Sequence, residues 1–193
     1  MKSPAYLLVF DGLADWEPAL AACELHKRKD LEVVPVGFAK SPVRTMGGLT
    51  VTPAVTLAEV DPARARVFLL PGGDRWEKAS SPELIGLLQR LEATGVPIGA
   101  ICGATLEVAR AGLLRDRRHT SNALAYLRAQ VPDYGGEAHY VEELAVTDRG
   151  VITASGAGHV EFAREIITLL RLYTPAETQQ WFALFKHGVL PGS

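Results

Sequence analysis

Four short apolar runs constrain this chain more than any other feature: Ala5–Phe10, Leu31–Gly37, Val67–Leu70 and Pro97–Ile101. Three stop abruptly, at Asp11-Gly12, at Pro71-Gly72-Gly73 and at Cys102-Gly103. Runs without polar alternation mark strands buried on both faces, as in a parallel sheet covered by crossover helices. Helix-period segments lie between them. Trp16 to Arg28 places Leu20, Cys23 and Leu25 at helical spacing behind an Asp15 N-cap, and Cys23 is read as a packing residue on that apolar stripe. Ser81-Pro82 opens a second helix with Leu84, Leu87, Leu88 and Leu91 on one face. Ala104 to Leu114 reads as a helix, His119 to Ser121 as a short strand and Ala123 to Ala129 as a helix. Gly47-Gly48 within Pro42–Val51 and Asp148-Arg149-Gly150 within Leu144–Ala154 predict hairpins. Gly156-Ala157-Gly158 leads into a helix from His159 to Leu172, and a last amphipathic helix covers about Pro175 to Lys186. The expected fold is a single α/β domain over residues 1–193, a flavodoxin-like three-layer sandwich with a mainly parallel central sheet.

Composition narrows the partners. Twenty Lys+Arg against 22 Asp+Glu give a formal charge of -2, so no strong field recruits nucleic acid or an anionic membrane. Two cysteines in a chain of 193 residues do not make a disulfide framework, and a reducing, cytoplasmic setting is expected. The start, Met1-Lys2-Ser3-Pro4 and its short apolar run, predicts neither a signal peptide nor a membrane span. No Cys-x-x-Cys pair, His-x-x-x-His or Gly-Lys phosphate loop is present, so neither a metal nor an organic cofactor is expected.

In open α/β sheets ligands sit beyond the carboxyl ends of the strands. There, Ala100-Ile101-Cys102-Gly103-Ala104 has the form of a nucleophile elbow, with small residues two positions before and after the central side chain. An ordinary thiol of pKa about 8.5 is only about 3% thiolate at pH 7, and lowering that pKa by two units corresponds to about 2.7 kcal/mol. A helix N-terminus supplies at most about 2 kcal/mol, so another donor is expected. Gly73 and Gly103 amides are candidates for an oxyanion hole, and Asp74 and Trp76 for the lining of a pocket mouth.

Asp11-Gly12 with Glu17, Leu70-Pro71-Gly72-Gly73, the Cys102 elbow, Gly112-Leu-Leu114 with His119-Thr-Ser121, and Thr153-Ala-Ser-Gly156 with Glu161-Phe-Ala163 together resemble the ThiJ/PfpI (DJ-1-like) superfamily, with its class I glutamine amidotransferase-like fold. The resemblance implies a protonated Glu17 hydrogen-bonded to a nucleophilic Cys102. It also implies a homodimer, for which Trp16 and the Trp181-Phe182 pair are exposed apolar candidates. Where some members carry histidine, this chain has Gly103 and Asn122. His159 remains as a candidate base, because its loop should approach the elbow and His159-Val160-Glu161 resembles the His-x-Glu of amidotransferases. His119 is a lesser candidate, while His26, His139 and His187 are read as unrelated to the site. Trp16, Asp74, Trp76 and Asn122 complete the expected pocket. The resulting expectation is a cysteine-dependent hydrolase or lyase acting on small amides or reactive carbonyls, of amidase, glyoxalase or deglycase type. A non-catalytic stress sensor or chaperone that reversibly oxidises Cys102 is the alternative, and a glutaminase subunit a third.

Overall fold

The structure is a computed structural model that describes residues 2–190. The apolar run at the start forms β1 (Ser3–Leu8), followed by α1 (Trp16–His26) and β2 (Leu31–Gly37). A small excursion follows, with β3 (Val43–Arg44) and β4 (Thr50–Val51) paired as an antiparallel hairpin and β5 (Val55–Thr56) returning to the sheet. Next come β6 (Val67–Leu70), the short α2 (Arg75–Lys78), α3 (Pro82–Ala93) and β7 (Ile98–Ile101). A 3-10 turn at Cys102–Ala104 leads into α4 (Thr105–Arg110), then α5 (Leu124–Gln130). The chain closes with β8 (Ala145–Asp148), β9 (Val151–Ala154), α6 (His159–Leu170) and α7 (Pro175–His187).

Seven strands form one sheet in the order β5-β2-β1-β6-β7-β9-β8, parallel except for the β8–β9 hairpin. Arg149 and Gly150 both take positive φ in that hairpin, matching the right-handed strand twist as a type I′ turn does. Alternation along β6 and β7 assigns the faces. Phe68, Leu70, Ile98 and Ala100 pack with Leu84, Leu87, Leu88 and Leu91 of α3 on one side. Val67, Leu69 and Ile101 pack with Ala21 and Leu25 of α1, Phe162 and Ile166 of α6, and Trp181 of α7 on the other. The mainly parallel sandwich is therefore as the apolar runs predict.

Several local expectations change. Cys23 is exposed, and the buried stripe of α1 is Pro18, Ala21 and Leu25 flanked by Glu17 and Glu24. Counting a thiol as apolar hid a buried glutamate on the same helix. Asp15 caps nothing in α1; its carboxylate instead accepts from Gly47 N at 2.6 Å, tying the β3–β4 hairpin to the loop after β1. Helix α4 is shorter than expected because its entry is a 3-10 turn and its exit passes through Gly112 at φ 79. His119–Ser121 is not a strand, only an isolated bridge from His119 to Tyr140. Trp181 is buried rather than displayed, its indole N–H held by Glu24. Edge strand β5 and helix α2 were not legible as elements, being two and four residues long.

Candidate active site

Parallel strands β1, β6 and β7 deliver their carboxyl ends to one edge of the sheet, and loops from there converge on Cys102. Its backbone φ is +60, a conformation that costs a non-glycine residue roughly 1–3 kcal/mol and is held here by fully buried Ala100 and Ala104 on either side. Close approach is possible only because neighbours lack side chains. A Cβ at Gly72 would lie 2.6 Å from both the Cys102 Cβ and Glu17 Oε2, and one at Gly156 would lie 3.0 Å from the sulfur.

Three groups surround the thiol. Glu17, 1% exposed, accepts from Gly72 N at 2.5 Å through Oε2 and hydrogen-bonds Cys102. Asn122 Nδ2 donates to the sulfur at 3.3 Å, while its Oδ1 accepts from Gly156 N at 2.9 Å. The Gly103 N–H is directed at the same sulfur. Beneath the elbow, Thr105 Oγ1 donates to Cys102 O at 2.7 Å and lies 2.7 Å from Ser121 Oγ. Sequence resemblance thus placed Glu17 and Asn122 together with Cys102, and the structure brings all three into contact.

Burial raises the Glu17 carboxyl to about 7, against the opposing pull of the Gly72 and Cys102 hydrogen bonds. Burial also pushes the Cys102 thiol up, and an ionised Glu17 pushes it further; Asn122 and Gly103 pull it down. The further donors that the sequence calls for are thus Asn122 and Gly103, and they act against burial of the thiol. Proton location on Glu17 decides the outcome. With the proton on Glu17 the carboxylate's repulsion vanishes and its O–H becomes a donor to sulfur.

Other expected residues fall elsewhere. Trp76 is fully buried, donating to Pro71 O at 2.9 Å and packing beneath Gly103, so it supports the loop instead of lining a mouth. Asp74 is exposed with its carboxylate 3.9 Å from Lys78 Nζ, and Trp16 stands on the surface beside Glu17. Gly73 pairs with Leu13 in an isolated bridge next to the Gly72 amide that Glu17 occupies. His159 begins α6 with Nδ1 buried and without a hydrogen-bond partner, and among the described residues it makes no bond to the sulfur. Glu161 instead meets Lys186 Nζ at 2.8 Å. His119 is wholly buried, its Nδ1 on Arg117 O and its Nε2 on Tyr134 OH, leaving neither ring nitrogen for chemistry. Two contributors were missed: Gly72 as the donor to Glu17, and Tyr126, whose hydroxyl lies over Gly103 while donating to Glu77. Pro71-Gly72-Gly73 signalled an open loop but not which glycine faces the acid; Tyr126 carried no signal.

A strained strand-to-helix elbow bearing a cysteine, set against a buried glutamic acid at the carboxyl edge of a parallel sheet, defines a class of α/β sandwich proteins. The match is specific: the model of the DJ-1/PfpI family spans residues 3–169, and the chain belongs to that family. A Bacillus subtilis protein described as an uncharacterized protease is 36% identical over 188 residues, covering 94% of this chain and 90% of the relative. A deglycase of Thermococcus kodakarensis is 27% identical over 169 residues, covering 86% and 98%. Among solved structures, a DJ-1 superfamily protein of Agrobacterium tumefaciens superposes with TM-score 0.86 at 38% identity, over 95% of this chain and 100% of that one.

Proposed function

We propose that this protein is a cysteine-dependent enzyme acting on small reactive carbonyl compounds, of glyoxalase or deglycase type. One observation carries the reading: the Cys102 sulfur is flanked by Glu17 and Asn122, and among the described residues no imidazole is one of its hydrogen-bond partners. Addition of a thiol to an aldehyde needs one proton moved from sulfur to oxygen, which a carboxyl of pKa about 7 is suited to carry. The S–C bond forms, the carbonyl π pair moves to oxygen, and the thiol proton passes through Glu17 to that oxygen. Gly73 and Gly103 N–H groups are the proposed holders of the developing charge. Amide cleavage demands more, since an amine leaving group must be protonated and water activated. The relative described as a deglycase supports the carbonyl reading.

Methylglyoxal, a glycated amino acid, glutamine and a peptide, each offered to the parent and to Cys102→Ser, test this. Turnover of the carbonyl substrates that is lost in Cys102→Ser is expected. Turnover of the peptide alone would replace the reading with a protease, and reversible oxidation of Cys102 without turnover of any substrate would replace it with a redox sensor. The reading extends to a homodimer near the site, supported by the exposed Trp16 beside Glu17, and to a reducing cytoplasmic setting, supported by two free thiols. Sedimentation and fractionation check these.

A further inference from the structure

At the amino ends of the strands, opposite the elbow, Arg28, Arg66 and Arg171 line one cleft of about 510 Å³ in which Asp30 is the only carboxylate among the described residues. The six residues of β1 separate the two ends of the sheet by about 20 Å. Two of the guanidiniums are anchored by carbonyls at and just beyond the end of α6. Arg66 Nη2 donates to Leu170 O at 2.9 Å, and Arg28 Nη1 donates to Leu172 O at 3.3 Å with its Nε 3.3 Å from Asp30. Each retains N–H groups beyond these bonds, because a guanidinium carries five. Neither Arg66 nor Arg171 has a carboxylate partner among the described residues.

Arg171 adds an independent observation. It ends α6 in the left-handed conformation, φ 54, with Leu172 N returning to Ile167 O at 3.0 Å. That position is ordinarily glycine, because a side chain there costs about 1 kcal/mol. An arginine at this position brings a third cation to the cleft, where it also faces the negative end of α6. We infer that the Arg28–Arg66–Arg171 cleft binds a phosphate group, free or as a small phosphate ester. Three forked donors around a polar cleft of net positive lining match a phosphate better than a single carboxylate. Arg171 also borders a second cleft with Tyr173 and Pro175, which offers room for the organic part of an ester. No sequence pattern announces the site, since its arginines stand far apart in the chain and meet only through the sheet. The inference is independent of the chemistry proposed for Cys102.

Amide NMR titration and thermal shift at low salt, with inorganic phosphate and with adenosine monophosphate, test it. Saturable shifts at Leu170–Leu172 and a raised Tm are expected in the parent. Arg171→Gly should fold as well as the parent or better and bind phosphate roughly ten- to hundredfold more weakly. Arg66→Lys should retain part of the binding, and Cys102 alkylation should be unchanged in both variants. Tighter binding of the ester would identify an organic phosphate as the source, and equal binding would identify phosphate itself. Absence of saturable shifts with either ligand, or binding undiminished in Arg171→Gly, would overturn the inference and leave the arginines as caps of α6.

Discussion

Asn122 fixes two partners with one amide, donating to the Cys102 sulfur and accepting from Gly156 N. Hydrogen bonds to a charged group are worth about 1.5–3 kcal/mol, so Asn122→Ala should raise the apparent pKa of Cys102 by one to two units. The rate of iodoacetamide alkylation against pH measures this, and an unchanged profile would remove Asn122 from the site. Gly72→Ala addresses the opposite wall. Its Cβ would press within 2.6 Å of both Cys102 and Glu17, so a loss of about 1–3 kcal/mol in urea unfolding and slower alkylation are expected. Sequence resemblance named the acid and the amide. It could not name Gly72, because the two glycines of a Pro-Gly-Gly turn look alike until the direction of one N–H is known.

Helix α7 is tied to α1 by a buried carboxylate. Glu24, 2% exposed, accepts from Trp181 Nε1 at 2.9 Å and Tyr173 OH at 2.5 Å, and meets Lys27 Nζ at 2.7 Å. Burial opposes its charge, but the Lys27, Tyr173 and Trp181 donors outweigh burial and hold it below its ordinary value. Its contribution is therefore present above pH 4.5 and lost as pH falls through the lower folded value. Glu24→Ala should cost about 2–4 kcal/mol by leaving the indole and phenol without their acceptor, and should speed hydrogen exchange in α7. Alkylation of Cys102 should not change. Elements whose cause is local were legible: α3 from Ser81, Pro82 and four leucines, β6 and β7 from their unbroken apolar runs. The face of α1 was not, because what makes Glu24 a core residue lies 149 and 157 positions away in sequence.

Over the whole molecule, the Glu17 carboxyl imposes the opposite pH dependence. Its folded value of about 7 stands above the ordinary 4.5, so the folded state holds the proton more tightly; the stability is complete below 4.5 and lost as pH rises to about 7. Glu17→Gln removes the titration. Unfolding free energies of the parent and the variant should therefore diverge across that window, the parent losing on the order of 3 kcal/mol more, and parallel curves would refute a protonated Glu17. Sheet order carries one more consequence. Ala5 pairs with Val67 and Ile98 with Val151, so two of the inner strand pairings join segments more than fifty residues apart. Loop-closure entropy must be met before such pairings are rewarded, which makes folding slow. Glu17, Gly72, Cys102, Asn122 and Gly156 come from separate segments of that late-forming sheet edge. Until they assemble, the thiol of a nascent chain has no guardian, and refolding yields should depend on reductant far more than the stability of the finished protein does.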